Sequence, residues 1–540
     1  MTPTPDRRVF LAASAALAGA WAAPAQDTPR PTGLVTGHAD GAAAGNAVLA
    51  AGGNAVDAAV AAALVVGVTA LPSTGIGGYG GHLVLARPDG TTAAIDFNTA
   101  APAAATADMF RADAAGRVEG NAHLHGWRAV GVPGVLAGLQ LALDRHGTKR
   151  FPELVGPAVR KARDGFPVTR GVAAAVRASA ALLARDPSSA KLYLKNGEPL
   201  AEGDTFRNPD LAALLDGLAA KGRVDDFYIG RPAAAVAAAF RKNGGLVTEA
   251  DLAAYRAVEV APAAVEWRGK TVHTPPPTAG GLTVLQTLSA LKALGWERLD
   301  PADPATTRAK VEALRVAWTD RLRLLGDPGR VEVPVARLLS EQYAADTAAR
   351  VRAALRTGRP VDGASDGRSA GGTIHLSAVD RTGMTVALTY THGESFGARV
   401  TVDGLGLTLG HGVSRFDPRP GRANSVGPGK RPLHNMCPTV VTADGKPLLA
   451  VGATGGRRIP NSVFDVLAYR VGAGLPLAEA VKAPRVHTEG DAVVTLEAGW
   501  PRAVGEHFRA AGYEVRTGPA ASLNAIERDP ATGVPTPAAR

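Results

Sequence analysis

The sequence predicts an α+β fold in which helices and strands occupy different stretches of the chain. Three observations carry this. Alanine-rich stretches favour helix through roughly 132–260. Strand-like patterns dominate from residue 373 onward, with one helix expected near Asn461–Gly472. At the junction, a glycine pair leads into Thr373 and an alternating run to Val379, then a turn at Asp380-Arg381-Thr382-Gly383, then a second run from Met384 to Thr391. That pattern reads as a hairpin, and it brings Thr373 near Thr391.

Residues 1–25 read as an export signal. Arg7-Arg8 stand before Val9-Phe10-Leu11, and an alanine-rich apolar stretch ends at Ala23-Pro24-Ala25, an A-x-A-like cleavage site. The arginine pair suggests the twin-arginine route and a periplasmic or secreted location. The apolar stretch is too short for a good membrane span. Residues 26–34 form a polar lead-in. Residues 52–71 read as a helix apolar on most faces, hence buried.

Gly75-Ile76-Gly77-Gly78-Tyr79-Gly80 formally matches G-x-G-x-x-G. A dinucleotide site needs a strand before and a helix after, and here the order is reversed, so a tight turn is expected instead. Strands at 82–87 and 91–97 flank a Pro88-Asp89-Gly90 turn. Helices are expected at Val135–His146, Pro157–Asp164, Asn208–Lys221, Leu282–Leu294 (after a rigid Pro275–Gly281 turn) and 305–325. Residues 355–371, rich in Gly, Ser, Arg and Asp, have the composition of a mobile segment around a processing site. No internal repeat is found.

The chain has 540 residues and a formal charge of +10; loss of residues 1–25 removes Arg7, Arg8 and Asp6 and leaves +10 − 2 + 1 = +9. No basic run, aromatic–basic interleaving or zinc spacing accompanies that charge, which excludes nucleic-acid binding. The single cysteine, Cys437, excludes an intramolecular disulfide and any cysteine-cluster metal site.

Gly371-Gly372-Thr373 has a chemical reading. A chain cut just before threonine frees an α-amine of unperturbed pKa about 8, placed to act as base for its own hydroxyl. Glycine before the threonine leaves the attacked carbonyl accessible. Two other motifs compete. Gly393-Glu394-Ser395-Phe396-Gly397 matches the G-x-S-x-G elbow, but Ala398–Val402 reads as strand where a helix is required. Ser188-Ser189-Ala190-Lys191 matches S-x-x-K without its companion motifs. His375 reads as a structural, hydrogen-bonded histidine, and His123 and His125 as loop residues.

Gly-Thr-x-His-x-Ser-x-x-Asp from Gly372, Thr389-Tyr390-Thr391 and Phe396-Gly397 together resemble the nucleophile region of the γ-glutamyltransferase (glutathione hydrolase) family. Downstream matches are Gly427-Pro428-Gly429-Lys430-Arg431-Pro432-Leu433, Met436-Cys437-Pro438-Thr439 and Gly455-Gly456-Arg457-Arg458-Ile459. Upstream matches are Gly52-Gly53-Asn54-Ala55-Val56-Asp57-Ala58-Ala59, Gly131-Val132-Pro133-Gly134, Ala162-Arg163-Asp164-Gly165-Phe166 and Gly326-Asp327-Pro328. The resemblance runs from about residue 32 to the end.

The resemblance implies an N-terminal-nucleophile hydrolase: a four-layer αββα sandwich with an added helical region in its large subunit. The precursor would cut itself before Thr373. A large subunit, 26–372, and a small catalytic subunit, 373–540, would remain together as a heterodimer. Thr373 would attack a γ-glutamyl or related acyl amide such as glutathione and pass the acyl group to water or an amine. Thr391 matches the threonine that holds the nucleophile. Gly455 and Gly456 match the oxyanion-hole pair, and a helix following them would add its dipole. Neither metal nor organic cofactor is implied.

The candidate substrate-binding positions are Asn98, Gly393, Arg415, His434 and Asn435, and several depart from the family pattern. Asn98 stands where an arginine holds the substrate carboxylate. Arg415 stands where an aspartate holds its ammonium. His434-Asn435 replaces a serine pair, and the short segment between Phe416 and Gly427 lacks a lid. Arg415 therefore points to a carboxylate-bearing, glutaryl-like or reversed acyl head, with Arg457 and Arg458 as further cations nearby. A bulky-substrate amidohydrolase and a non-catalytic binding member are the alternatives.

Overall fold

A computed structural model describes residues 33–114, 116–298, 303–366 and 371–540. The export signal expected at 1–25 lies outside the described residues, as do 367–370 of the segment expected to surround the processing site.

Two six-stranded antiparallel sheets form the centre. In chain order their strands are β1 (Leu34–Thr36), β2 (Gly80–Ala86), β3 (Thr92–Asp96), β4 (Val258–Val260), β5 (Ala263–Trp267), β6 (Lys270–Thr274), β7 (Ile374–Val379), β8 (Thr385–Thr391), β9 (Thr439–Ala443), β10 (Lys446–Thr454), β11 (Ser522–Arg528) and β12 (Pro535–Ala539). The first sheet runs β1-β7-β8-β2-β3-β4 and the second β12-β11-β10-β9-β6-β5.

Helices α1 (Ala39–Ala50), α2 (Ala55–Thr69) and α3 (Val135–His146) cover the outer face of the first sheet. Helices α4 (Gly281–Leu294), α5 (Pro304–Leu324), α6 (Glu341–Thr357) and α7 (Arg458–Leu467) lie on the side of the second. Small side chains fill the space between the sheets: Val84, Ala86, Ala94 and Ala387 from one, Val440 and Ala450 from the other. The layers are therefore helix, sheet, sheet, helix, the αββα order expected. The extra helices between 151 and 254 make the added helical region.

Helix α2 shows how burial is made tolerable. All 15 of its residues are buried, including Asp57. Asn54 caps it, accepting from the Val56 and Asp57 N–H groups, and the Asp57 carboxylate accepts from the Asn54, Thr148 and Lys149 N–H groups. Those donors offset the cost of taking the carboxyl group out of water. The 75–80 turn lies between α2 and β2, the order that excludes a dinucleotide site.

Three expectations need correction. The helical section does not reach 260, because Val258–Val260 is an edge strand. The part after Thr373 holds further helices, Leu477–Lys482 and Arg502–Ala510; the latter buries only Val504, Gly505 and Phe508, too narrow a stripe to stand out among its charges. Of the stretch 355–371 expected to be mobile, the part up to Ala364 is anchored. Helix α6 continues to Thr357, the Val361 N–H donates to the Glu312 carboxylate at 2.9 Å, and the Ala364 N–H donates to Thr319 Oγ1 at 3.1 Å. Among the described residues no helix is long and apolar enough to cross a membrane.

Candidate active site

Strand parity builds the site. Side chains alternate between the two faces of a strand. In β7, Leu376 and Ala378 join the core on the helix side, so His375 and Ser377 face the second sheet. In β8, Val386, Leu388 and Tyr390 take the helix side, and Ala387 faces inward. Thr373 has the parity of His375, and Thr391 that of Ala387. The register pairs Ile374 with Tyr390, which sets Thr373 opposite Thr391 at one end of the inter-sheet space.

Thr373 is 3% exposed. Its Oγ1 lies 3.3 Å from Thr391 Oγ1 and also hydrogen-bonds the Gly372 carbonyl. Thr391 Oγ1 donates to that same carbonyl at 2.9 Å and accepts the Gly393 N–H at 2.8 Å. The Gly372 carbonyl oxygen thus meets both threonine hydroxyls.

From the other sheet, β10 ends at Thr454 and turns through Gly455 (φ +147°) and Gly456 (φ +63°) into α7. A Cβ on Gly455 would meet Ala521 Cα at 3.0 Å. The turn's backbone therefore sits at the amino end of a helix, where N–H groups and the helix dipole favour negative charge.

One small cleft gathers Gly372, Thr373, Gly393, Arg415, Asn435 and Gly456, with Tyr79, Met436 and Ile459 completing its walls. Gly393 has φ +104°, and a Cβ there would lie 2.1 Å from the His411 ring, so glycine is required. His411 holds this corner together. Its Nδ1–H donates to the Leu124 carbonyl, and its bare Nε2 accepts from the Glu394 N–H at 2.6 Å and from Arg415 at 3.2 Å. Burial, with Arg415 and Arg399 close by, keeps His411 neutral. Burial also pushes the Tyr79 hydroxyl up to about 12, so it stays protonated.

A cavity of about 330 Å³ adjoins the cleft and shares Arg415 and Asn435 with it. Its wall carries five arginines, Arg117, Arg321, Arg415, Arg422 and Arg457, against Asp366 and Asp417. Arg457 pairs with Asp366 at 2.6 Å and with Glu489 at 2.8 Å. Arg321 hydrogen-bonds only carbonyl oxygens among the described residues: those of Ala279 and His434, and Oδ1 of Asn435. Burial, then Arg457, pushes it down to about 10, where it is still charged at neutral pH.

Two candidate substrate-binding residues do not reach the cleft. Asn98 is buried, and its Nδ2 is committed to Thr278 Oγ1 at 2.9 Å and the Pro432 carbonyl at 2.7 Å. His434 lies behind the cleft wall against His82. Arg458 turns away to the carbonyls of Gly455 and Pro519. His375 bonds Thr389 Oγ1 at 2.7 Å and Ser377 Oγ at 3.0 Å inside the sandwich, a structural place. Ser395 sits in a turn followed by the strand Thr401–Val402, not by the helix an elbow needs. Ser188 and Lys191 of the S-x-x-K match line a different pocket, which shares no residue with the cleft of Thr373.

A family model described as gamma-glutamyltranspeptidase matches residues 41–539. The chain belongs to the gamma-glutamyltranspeptidase family. A glutathione hydrolase proenzyme of Escherichia coli (strain K12) is 37% identical over 432 residues, covering 77% of this chain and 74% of that one. An acylase ACY 1 proenzyme of Pseudomonas sp. (strain SE83) is 37% identical over 463 residues, 84% of this chain and 82% of its own. Among solved structures, a cephalosporin acylase from Bacillus halodurans superposes with a TM-score of 0.83 at 25% identity, covering 97% of each chain.

Sequence reasoning missed Tyr79, Met436 and Ile459 of the cleft, His411 behind it, and Trp318 and Arg321 of the cavity. Met436 and Ile459 stood inside motifs matched to the family and could have been found there; Tyr79 stood in the glycine turn at 75–80. Trp318 and Arg321 sit on a buried helix whose sequence gives no sign of a nearby cavity.

Proposed function

We propose that this member of the family is a self-processing amidohydrolase or acyltransferase with Thr373 as its N-terminal nucleophile. The observation that carries the reading is the Thr373–Gly372–Thr391 contact at the mouth of the cleft. Attack of Thr373 Oγ1 on the Gly372 carbonyl converts that amide to an ester, and water opens the ester. This leaves a carboxylate on Gly372 and a free amine on Thr373. The large and small fragments stay joined because β7 pairs with β1, and β8 with β2, across the cut.

In turnover the Thr373 amine takes the hydroxyl proton as Oγ1 attacks a substrate amide. The proton passes to the leaving amine, and water or a second amine then takes the acyl group. Thr391 orients the nucleophile. The N–H groups at Gly455-Gly456 stabilise the oxyanion, a donor of this kind contributing roughly 3–4 kcal/mol. The glutathione hydrolase relatives make a γ-glutamyl amide the first substrate to try.

A second reading of the donor is favoured by Arg415. It lines the cleft beside Thr373 and opens onto an arginine-rich cavity. A cation there suits an acyl head ending in a carboxylate, such as glutaryl, better than one ending in an ammonium. The acylase relatives are consistent with a donor other than a γ-glutamyl amide.

The test is the mass of the denatured protein, wild type beside Thr373→Ala. Two fragments in wild type, the smaller starting at Thr373, and one intact chain in the variant are expected. An uncut wild type would remove the activated amine and favour a binding protein. Glutaryl- and γ-glutamyl-anilides then separate the two donors. Export is tested by N-terminal sequencing of the periplasmic protein, which should begin near residue 26.

A further inference from the structure

One wall of the cleft is backed by a pair of histidines that the chemistry above does not use. His82 of β2 and His434 are both fully buried, and their Nε2 atoms are 2.7 Å apart. The Met436 N–H donates to His434 Nδ1 at 3.1 Å. That nitrogen is therefore bare, and neutral His434 carries its proton on Nε2. That proton points at His82 Nε2, which must accept it, so His82 carries its own proton on Nδ1. His82 Nδ1 faces Asp96 Oδ1 at 3.9 Å. This one arrangement of protons satisfies both the Nε2–Nε2 contact and the Met436 N–H, and it leaves the His82 Nδ1–H facing Asp96 beyond hydrogen-bond distance. From the opposite side, Arg321 grips the same loop through the His434 carbonyl at 2.6 Å and Asn435 Oδ1 at 3.4 Å.

We propose that His82 and His434 are positioning residues whose mutual hydrogen bond clamps the 434–436 loop, so that Asn435 and Met436 form the cleft wall beside Thr373, and that a proton added to the pair releases the clamp. The inference rests on reading Thr373 as the nucleophile. A proton on His82 Nε2 would face the His434 Nε2–H. Relief requires His434 to move its proton to Nδ1, and that gives up the Met436 N–H. The groups facing the pair are Asp96, which favours a charged imidazole, and Arg431, Arg321 and Arg415, which oppose it. The neutral Tyr79 ring stands 6.4 Å from His434. Burial dominates, and His82 takes its proton only near pH 4.

The test compares His82→Gln with His82→Leu. Glutamine offers a carbonyl oxygen to His434 and does not titrate. Leucine fills similar space but leaves the His434 Nε2–H without an acceptor. Self-cleavage and Tm first establish that each variant folds. The leucine variant should raise KM for an anilide donor about tenfold, with kcat changed less, and the glutamine variant should recover most of that loss. Wild-type KM should climb as the pH falls toward 4, while that of the glutamine variant stays flat. A leucine variant as good as glutamine, or the same acid limb in wild type and glutamine variant, overturns the clamp. Should the leucine variant not fold, the pH comparison decides alone. Imidazole 15N spectra give a readout without turnover: His82 must appear as the Nδ1–H tautomer and His434 as Nε2–H, and any other pair of tautomers refutes the proposal. If wild type neither cleaves nor turns over amides, the nucleophile reading fails while the spectra still judge the clamp.

Discussion

Thr391→Val keeps the shape of the side chain and removes its oxygen. That oxygen donates to the Gly372 carbonyl at 2.9 Å and accepts the Gly393 N–H at 2.8 Å. In self-cleavage, negative charge develops on the Gly372 oxygen as Thr373 attacks. Losing one preorganised donor to such an oxygen costs roughly 3–4 kcal/mol in the transition state. The orphaned Gly393 N–H adds about 1–3 kcal/mol to the cost of the folded state and loosens the cleft. Processing of the valine variant should therefore slow by about 10²–10³, and Thr391→Ser should restore most of the rate. A time course of intact and cut chains on a denaturing gel measures this directly. A valine variant that matures within threefold of wild type would refute the role assigned to Thr391 and the reading of the Gly372 carbonyl as the attacked group.

Arg415→Asp should shift preference from glutaryl- toward γ-glutamyl-anilide. Two unit charges about 4 Å apart at an effective dielectric near 20 interact by roughly 4 kcal/mol, and exposure reduces this to about tenfold or more in relative kcat/KM; an unchanged ratio would remove Arg415 from specificity. Lys310 and Asp465 form a fully buried pair at 2.6 Å, and Asp465 also accepts the Val486 N–H. Lys310→Met should cost about 3–5 kcal/mol by stranding the carboxylate, and adding Asp465→Asn should recover part of it, as urea unfolding would report. Burial holds His375 and His392 down to about 3, below their value of 6.5 in the unfolded chain. The unfolded chain then binds more protons, so stability is full above pH 6.5 and falls as the pH drops from 6.5 toward 3. By pH 4 the loss is about 3 kcal/mol per histidine, and urea midpoints that do not move between pH 7 and 4 would contradict it.

Local elements were legible wherever one stretch of chain decides them. Helix α3 occupies Val135–His146 as expected, and it is bracketed by Gly134 and Gly147. Helix α2 was recognisable as buried because it offers no polar face. Strands β7 and β8 alternate cleanly, and the turn at Asp380 sets their register, because the Asp380 carboxylate accepts the Thr382, Gly383 and Met384 N–H groups. The Thr373–Thr391 pairing follows from that hairpin. The edge strand Val258–Val260 was hidden because it is three residues long and mostly exposed, so no apolar pattern marks it.

Thr373, its glycine pair, Thr391, Gly455-Gly456 and the family were therefore determined by the sequence, since a hairpin register and a chemical motif are properties of neighbouring residues. The walls of the cleft were decided only by the tertiary structure. Asn98 stood in line for a substrate contact, and packing gave its amide to Thr278 and Pro432. His82 meets His434 across 352 residues, and the inner sheet faces bring them within hydrogen-bonding distance. Once two sheets stack, the side chains that meet are set by which strand ends coincide, and residues far apart in the chain carry no local sign of that meeting.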